Sequence, residues 1–268
     1  MEFSINIILI ITNIICFAAA ILLFKHVVRY RKEKYKIITK YESKRIIAEV
    51  PLSEISNVFL SGDFGTKIDA EVNILLNGDN TTIGGTSDLE AWILSVLAKK
   101  SAFMFEFGTA TGKTTYLWAR NSHDNAQIIT ITLPPEKLTD YSEGKTDSSD
   151  AALIAKKESL FTKHYYTGTG VEKKITQIYG DSKQFDESPF LEKCDLIFID
   201  GSHAYSYVKS DTEKAIRMLK PGGIALWHDY RGPRHETKDV YFYLNELSKE
   251  IPLLHLRNTS LVAYKKPF

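Results

Sequence analysis

The chain has 268 residues, room for one α/β domain of ordinary size and an appendage but not for two full catalytic domains. With 44% hydrophobic and 25% charged residues it is not disordered, collagen-like or polytopic, and 34 basic against 33 acidic side chains remove the electrostatic argument for a nucleic-acid binder. Two cysteines, Cys16 and Cys194, exclude a disulfide framework and a cysteine-based metal site.

From Ile5 to Phe24 the sequence is almost continuously apolar, broken only by Asn6, Thr12 and Asn13. At about 1.5 Å per residue a helix of that length would cross roughly 30 Å of hydrocarbon, so residues 1–24 read as a transmembrane anchor contacting the membrane through residues 5–24. A cleaved signal peptide is the rival, but no basic residue precedes the run and it continues past Ala18, Ala19 and Ala20. Lys25, Arg29, Arg31, Lys32, Lys34 and Lys36 follow, and the positive-inside tendency then places the body of a single-pass protein in the cytoplasm. Residues 25–50 read as a basic juxtamembrane helix or a solvated linker. Residues 51–86 form an extension with short β-like pieces at Asn57–Leu60 and Ala70–Leu76, and residues 87–268 form the main domain.

Ser87 and Glu90 make a capping-box pattern ahead of a helix predicted from Asp88 to Lys99. Strands are then expected at Phe103–Phe107, Ile128–Leu133, Ile175–Tyr179, Leu196–Asp200 and Ile224–His228. Helices are expected at Thr114–Arg120, Ala151–Lys163, Val208–Leu219 and Val240–Lys249, with a polar loop over Tyr141–Asp150. Leu253–Leu256 and Leu261–Tyr264 close the chain as an antiparallel pair. The alternation predicts an α/β, Rossmann-like doubly wound domain with a mostly parallel sheet, whose ligands bind beyond the carboxyl ends of the strands.

The first strand of this series ends in Glu106-Phe107-Gly108-Thr109-Ala110-Thr111-Gly112-Lys113-Thr114-Thr115. Gly112-Lys113-Thr114 invites a phosphate-binding loop and a nucleotide hydrolase, but that loop requires glycine at position 107, which is Phe, and the dinucleotide fingerprint fails as well. The stretch instead resembles motif I of the class I S-adenosylmethionine-dependent methyltransferases, in the small-molecule O-methyltransferase branch. A second block, from Cys194 to Tyr230, is similar to the fourth-strand to fifth-strand region of that family. It contains Asp195-Leu196-Ile197-Phe198-Ile199-Asp200-Gly201-Ser202-His203, then Leu219-Lys220-Pro221-Gly222-Gly223 and Trp227-His228-Asp229-Tyr230. The resemblance spans roughly Asp88 to Phe268.

That resemblance implies S-adenosyl-L-methionine as cofactor. Gly108, Thr109 and Gly112 would line its methionine portion, Glu106 would orient the turn or reach its amino group, and Gly180, Asp181 and Ser182 would face the adenine end. Where the family's second strand ends in an acidic residue for the ribose, this chain has Thr132, with Glu136 a substitute. Replacement of Gly108 by Val is expected to weaken the cofactor by at least about tenfold while the fold survives.

Asp200, His228 and Asp229 fall at neighbouring strand ends, where two carboxylates and an imidazole can hold Mg²⁺; alternatively Asp200 caps a turn and His228 is an ordinary strand-end histidine. Asp200 and His203 are the catalytic candidates, His203 as general base. The acceptor is a small-molecule or lipid-linked hydroxyl compound. A catalytically inactive scaffold is the alternative, motivated by Thr132. No sequence feature sets an oligomeric state.

Overall fold

The computed structural model describes residues 16–17, 19–31, 46–76 and 85–268. The chain divides into two units, residues 1–45 and residues 46–268.

In the first unit the described residues are helical. Their apolar part ends at Phe24, and the helix then carries Lys25, His26, Arg29 and Arg31. Among the described residues no helix is long and apolar enough to cross a membrane. The expected transmembrane helix is therefore corrected: the described apolar stretch before Lys25 is about half the length a span needs, and the charged turns beyond it dilute its hydropathy. The rest of the anticipated span and residues 32–45 lie outside the described residues. The cytoplasmic orientation depended on that span and falls with it, and the lipid-linked acceptor loses its support.

The second unit is built on an eight-stranded sheet. Its central five strands are parallel neighbours: β4 (Phe103–Phe107), β5 (Gln127–Thr132), β6 (Ile175–Tyr179), β7 (Cys194–Ile199) and β8 (Leu219–Trp227). The spatial order β8-β7-β4-β5-β6 puts the switch in winding direction at β4, between β5 and β7. The terminal pair, β9 (Leu254–Leu256) and β10 (Val262–Lys265), is antiparallel, and β10 continues the sheet antiparallel to β8. A short strand that no periodicity announced, β1 (Glu49–Val50), pairs parallel with β9.

The β-like reading of residues 51–76 is replaced by short 3₁₀ turns at Asn57–Phe59 and Ile68–Ala70, with only a two-residue ladder between β2 (Ser61–Gly62) and β3 (Gly65–Thr66). Ile55, Val58, Phe59 and Ala70 are buried against the sheet's helices. Apolar residues there were spent on covering a helix, not on extending a ladder.

Helix α1 (Asp88–Ala98) forms with its capping box intact, Ser87 Oγ accepting from the Glu90 amide at 3.3 Å and Glu90 accepting from the Ser87 amide at 2.9 Å. Helices α2 (Lys113–Asn121), α3 (Ser149–Glu158), α4 (Tyr205–Met218) and α5 (Lys238–Leu247) follow. Helix α3 stops five residues before the expected Lys163. Two buried clusters, one around Phe105, Phe107, Trp227 and Tyr230 and the other around Met104, Trp118 and Phe198, cover opposite faces of the sheet. Alternate residues of β4 feed each, as the strand's period of two requires.

Candidate functional site

The parallel register aligns Phe107 with Ile199, and Ile199 with Trp227. The residues that follow, Gly108, Asp200 and His228, therefore emerge together at one edge of the sheet. Gly108 has φ 95° and Gly112 φ 74°, the left-handed region that glycine enters without a Cβ penalty, and Ala110 between them has φ 41°. Gly112 caps the start of α2.

Two cavities open at this edge. The first is lined by Gly108, Ala110, Thr132, Asp181, Ser182 and Asp200, among others. Tyr141 lines it too, and the segment from Tyr141 to Ser148 is tied down beside it: Tyr141 stacks on Tyr207 at 4.6 Å and hydrogen-bonds Ser202, Asp147 accepts from the amide and hydroxyl of Ser206, and the Ser148 amide donates to Asp239. Thr132 and Asp181 both reach this cleft, so the carboxylate missing at the end of β5 is present at the end of β6; Glu136 does not line it.

Glu106 points into the protein. Its carboxyl accepts from Thr115 and, at 2.8 Å, from Thr130, and Thr130 hydrogen-bonds Thr109 at 2.7 Å. Burial pushes the Glu106 carboxyl up to about 8. Thr109 is likewise inside this network, where Gln177 donates to it at 3.2 Å. These residues brace the glycine turn from below.

The second cavity, about 380 Å³, is lined by Asp200, His203, His228, Asp229, Glu158 and Arg231, among others. Asp200, His203 and Asp229 bring one ligand atom each to within 4.8 Å of one another, an arrangement that could hold a metal ion. His203 Nε2 lies 2.8 Å from Asp229. Burial opposes a charge on His203, but the hydrogen bond and charge of Asp229 outweigh it and carry the imidazole up to about 9. Asp229 adopts φ 63°, a conformation Asp tolerates, which aims its carboxylate between His203 and Arg231.

His228 is placed differently. Its Nδ1 lies 2.9 Å from Asp200 and its Nε2 3.3 Å from Glu90, which also accepts from the amide and hydroxyl of Ser260 at 2.7 and 2.8 Å. Both ring nitrogens are thus engaged by carboxylates. Sequence reasoning found the capping role of Glu90 but not its reach to His228, because contacts between residues so far apart in the chain leave no local pattern. It also missed Glu158, the last residue of α3, whose carboxyl is pushed up to about 7 by burial, with His203 opposing and Asp200 and Asp229 adding to the shift.

A family described as a methyltransferase domain matches residues 105–230. The chain carries a methyltransferase domain. The match begins inside β4 and ends at Tyr230, the last residue of the second motif block, and it bears out the class I, S-adenosylmethionine-dependent family to which both blocks were compared. Among curated proteins no sequence matches the chain.

The methyltransferase is similar in structure to an S-adenosylhomocysteine-bound methyltransferase, PaMTH1, from Podospora anserina (18% identity, 69% of this chain and 80% of that one, TM-score 0.49). It is similar also to the O-methyltransferase TomG from Streptomyces achromogenes, involved in tomaymycin synthesis and solved with S-adenosylmethionine (13%, 84% and 93%, 0.45). A third is a methyltransferase from Geobacter sulfurreducens (11%, 69% and 82%, 0.46).

Proposed function

We propose that the protein transfers a methyl group from S-adenosyl-L-methionine to a hydroxyl of a small acceptor, with the donor in the first cleft and the acceptor in the second cavity. The observation that carries this reading is that the two cavities share a boundary at Ala110, Glu158 and Asp200, beside the glycine turn. When bound, the donor supplies an electrophilic methyl on a positively charged sulfur.

The chain's residues fit that donor. The backbone at Gly108 and Ala110, which lines the cleft, would come close to it, and Asp181 and Thr132, which line the cleft as well, would offer hydrogen-bond acceptors. Direct transfer needs the acceptor oxygen held in line with the methyl, a few ångströms away, and a cavity opening onto the same boundary provides that orientation.

The donor set in the second cavity also suits a divalent cation. Among its lining residues the carboxyls of Asp200, Asp229 and Glu158 outnumber the imidazoles of His203 and His228, and burial raises the carboxyls of Asp200 and Glu158. Asp200, Asp229 and His203 would hold the cation, which when bound supplies charge that favours the deprotonated acceptor hydroxyl. His203 then serves as a ligand and His228 orients Asp200. Calorimetric titration with S-adenosylmethionine tests the reading: binding with a rise in melting temperature is expected, and neither heat nor stabilisation at millimolar donor would leave the inactive-scaffold reading standing.

A further inference from the structure

We infer that Glu158 is a positioning residue for the sulfonium end of the methyl donor, and that it separates the charged donor from the neutral by-product. The inference rests on the reading that the donor occupies the first cleft. Among the described residues only Ala110, Glu158 and Asp200 line both cavities, so a methyl group passing from one to the other would cross beside these three. Asp200 already accepts from His228 at 2.9 Å. Glu158 has no hydrogen-bond or ion-pair partner among the described residues, and it shares the second cavity with Asp200, His203, Asp229 and His228, whose charges act on it.

The chemistry at this neck changes charge in one step. The acceptor oxygen's lone pair forms the new O–CH₃ bond as the S–CH₃ bond breaks; its electron pair stays on sulfur, and the hydroxyl proton leaves with solvent. The sulfur begins with a positive charge and ends as a neutral thioether. A carboxylate facing it attracts the donor by coulombic interaction in a partly desolvated site and has no comparable attraction for the thioether. The sulfonium in turn favours the ionised form of Glu158. The result is a cleft that takes up fresh donor and releases the spent one.

Isothermal titration of the full chain with S-adenosylmethionine and with S-adenosylhomocysteine tests this. The wild type should bind the donor more tightly than the by-product. Glu158→Gln should weaken the donor about tenfold and leave the by-product within twofold, while Glu158→Asp recovers part of the preference. Glu158 ends its helix and contributes nothing to the buried clusters, so the fold should persist; Glu158→Ala gives a second reading of the same ratio. An unchanged ratio in both variants overturns the inference alone. If the wild type binds neither ligand, the donor reading fails and the inference with it.

Discussion

A Cβ placed on Gly108 would lie 2.2 Å from the main-chain oxygen of Asp200 and 2.6 Å from the Cα of Gly201. The turns after β4 and β7 are therefore packed backbone against backbone, and the glycine is required by its neighbour as much as by any ligand. Such an overlap involves main-chain atoms on both sides, which no rotamer change relieves.

Gly108→Ala should accordingly lower stability by at least about 3 kcal/mol, combining the overlap with the left-handed φ. Denaturant unfolding followed by circular dichroism measures this. The expectation from the sequence, that Val at 108 weakens the cofactor while the fold survives, is revised: stability and donor affinity should fall together. Full stability in the alanine variant would show that the two turns separate easily.

Cation binding should depend on His203 more than on His228. In Mn²⁺ titrations His203→Gln and Asp200→Asn are expected to lose at least tenfold in affinity, and His228→Gln less. Because Asp229 holds the free His203 protonated up to about 9, the cation must displace that proton; affinity should rise as pH increases from 6 towards 9, with proton release visible in buffers of different ionisation heat. A set in which His228→Gln is the damaging change would restore the ligand trio Asp200, His228 and Asp229.

Glu106 gives a pH signature of stability. Burial raises its carboxyl from 4.5 to about 8, so between those values the folded chain keeps a proton that the unfolded chain has released. Its contribution is largest near and below pH 4.5 and is lost as pH rises through about 8. Glu106→Gln, neutral throughout, should flatten this slope. An unchanged slope would assign the pH dependence to other groups.

Glu90 joins the start of α1, His228 and the turn between β9 and β10. Burial alone would raise its carboxyl, but the hydrogen bond and charge of His228, with the Ser260 and Ser87 amides, hold it well below the usual carboxylate range. Glu90→Ala should cost about 3 kcal/mol, since it strands His228 in the interior with one carboxylate fewer. Glu90→Gln should recover part of that, and equal stability of all three proteins would reduce Glu90 to a simple cap.

Strands β4, β5 and β7 and the Ile224–Trp227 end of β8 were legible because they are largely buried and read as compact apolar runs bounded by Gly, Pro or polar turns, whereas the half-exposed β6 was marked by its stop at Gly180. The antiparallel pair at the C-terminus was legible from Asn258-Thr259-Ser260. The segment 51–76 was not: its apolar residues face a helix at irregular spacing, and irregular spacing has no period to detect. Within the site, strand-end positions such as Asp200 and Asp229 could be named because a parallel sheet delivers them to one edge. That His203, not His228, stands grouped with Asp200 and Asp229 could not, because it depends on Glu90 reaching His228 from another element.

The segment from Tyr141 to Ser148 is fastened mainly by polar and charged groups and one aromatic stack, while among the described residues the apolar cluster it packs on is small: Ala151, Ala204 and Tyr207. So little buried hydrocarbon makes this stretch a separate low-stability unit: its amides should exchange with deuterium through local opening, orders of magnitude sooner than those of β4 and β7. Occupation of the cleft would then register as slowed exchange confined to residues 141–148, a signal in which the methyltransferase reports its own ligand without a catalytic assay.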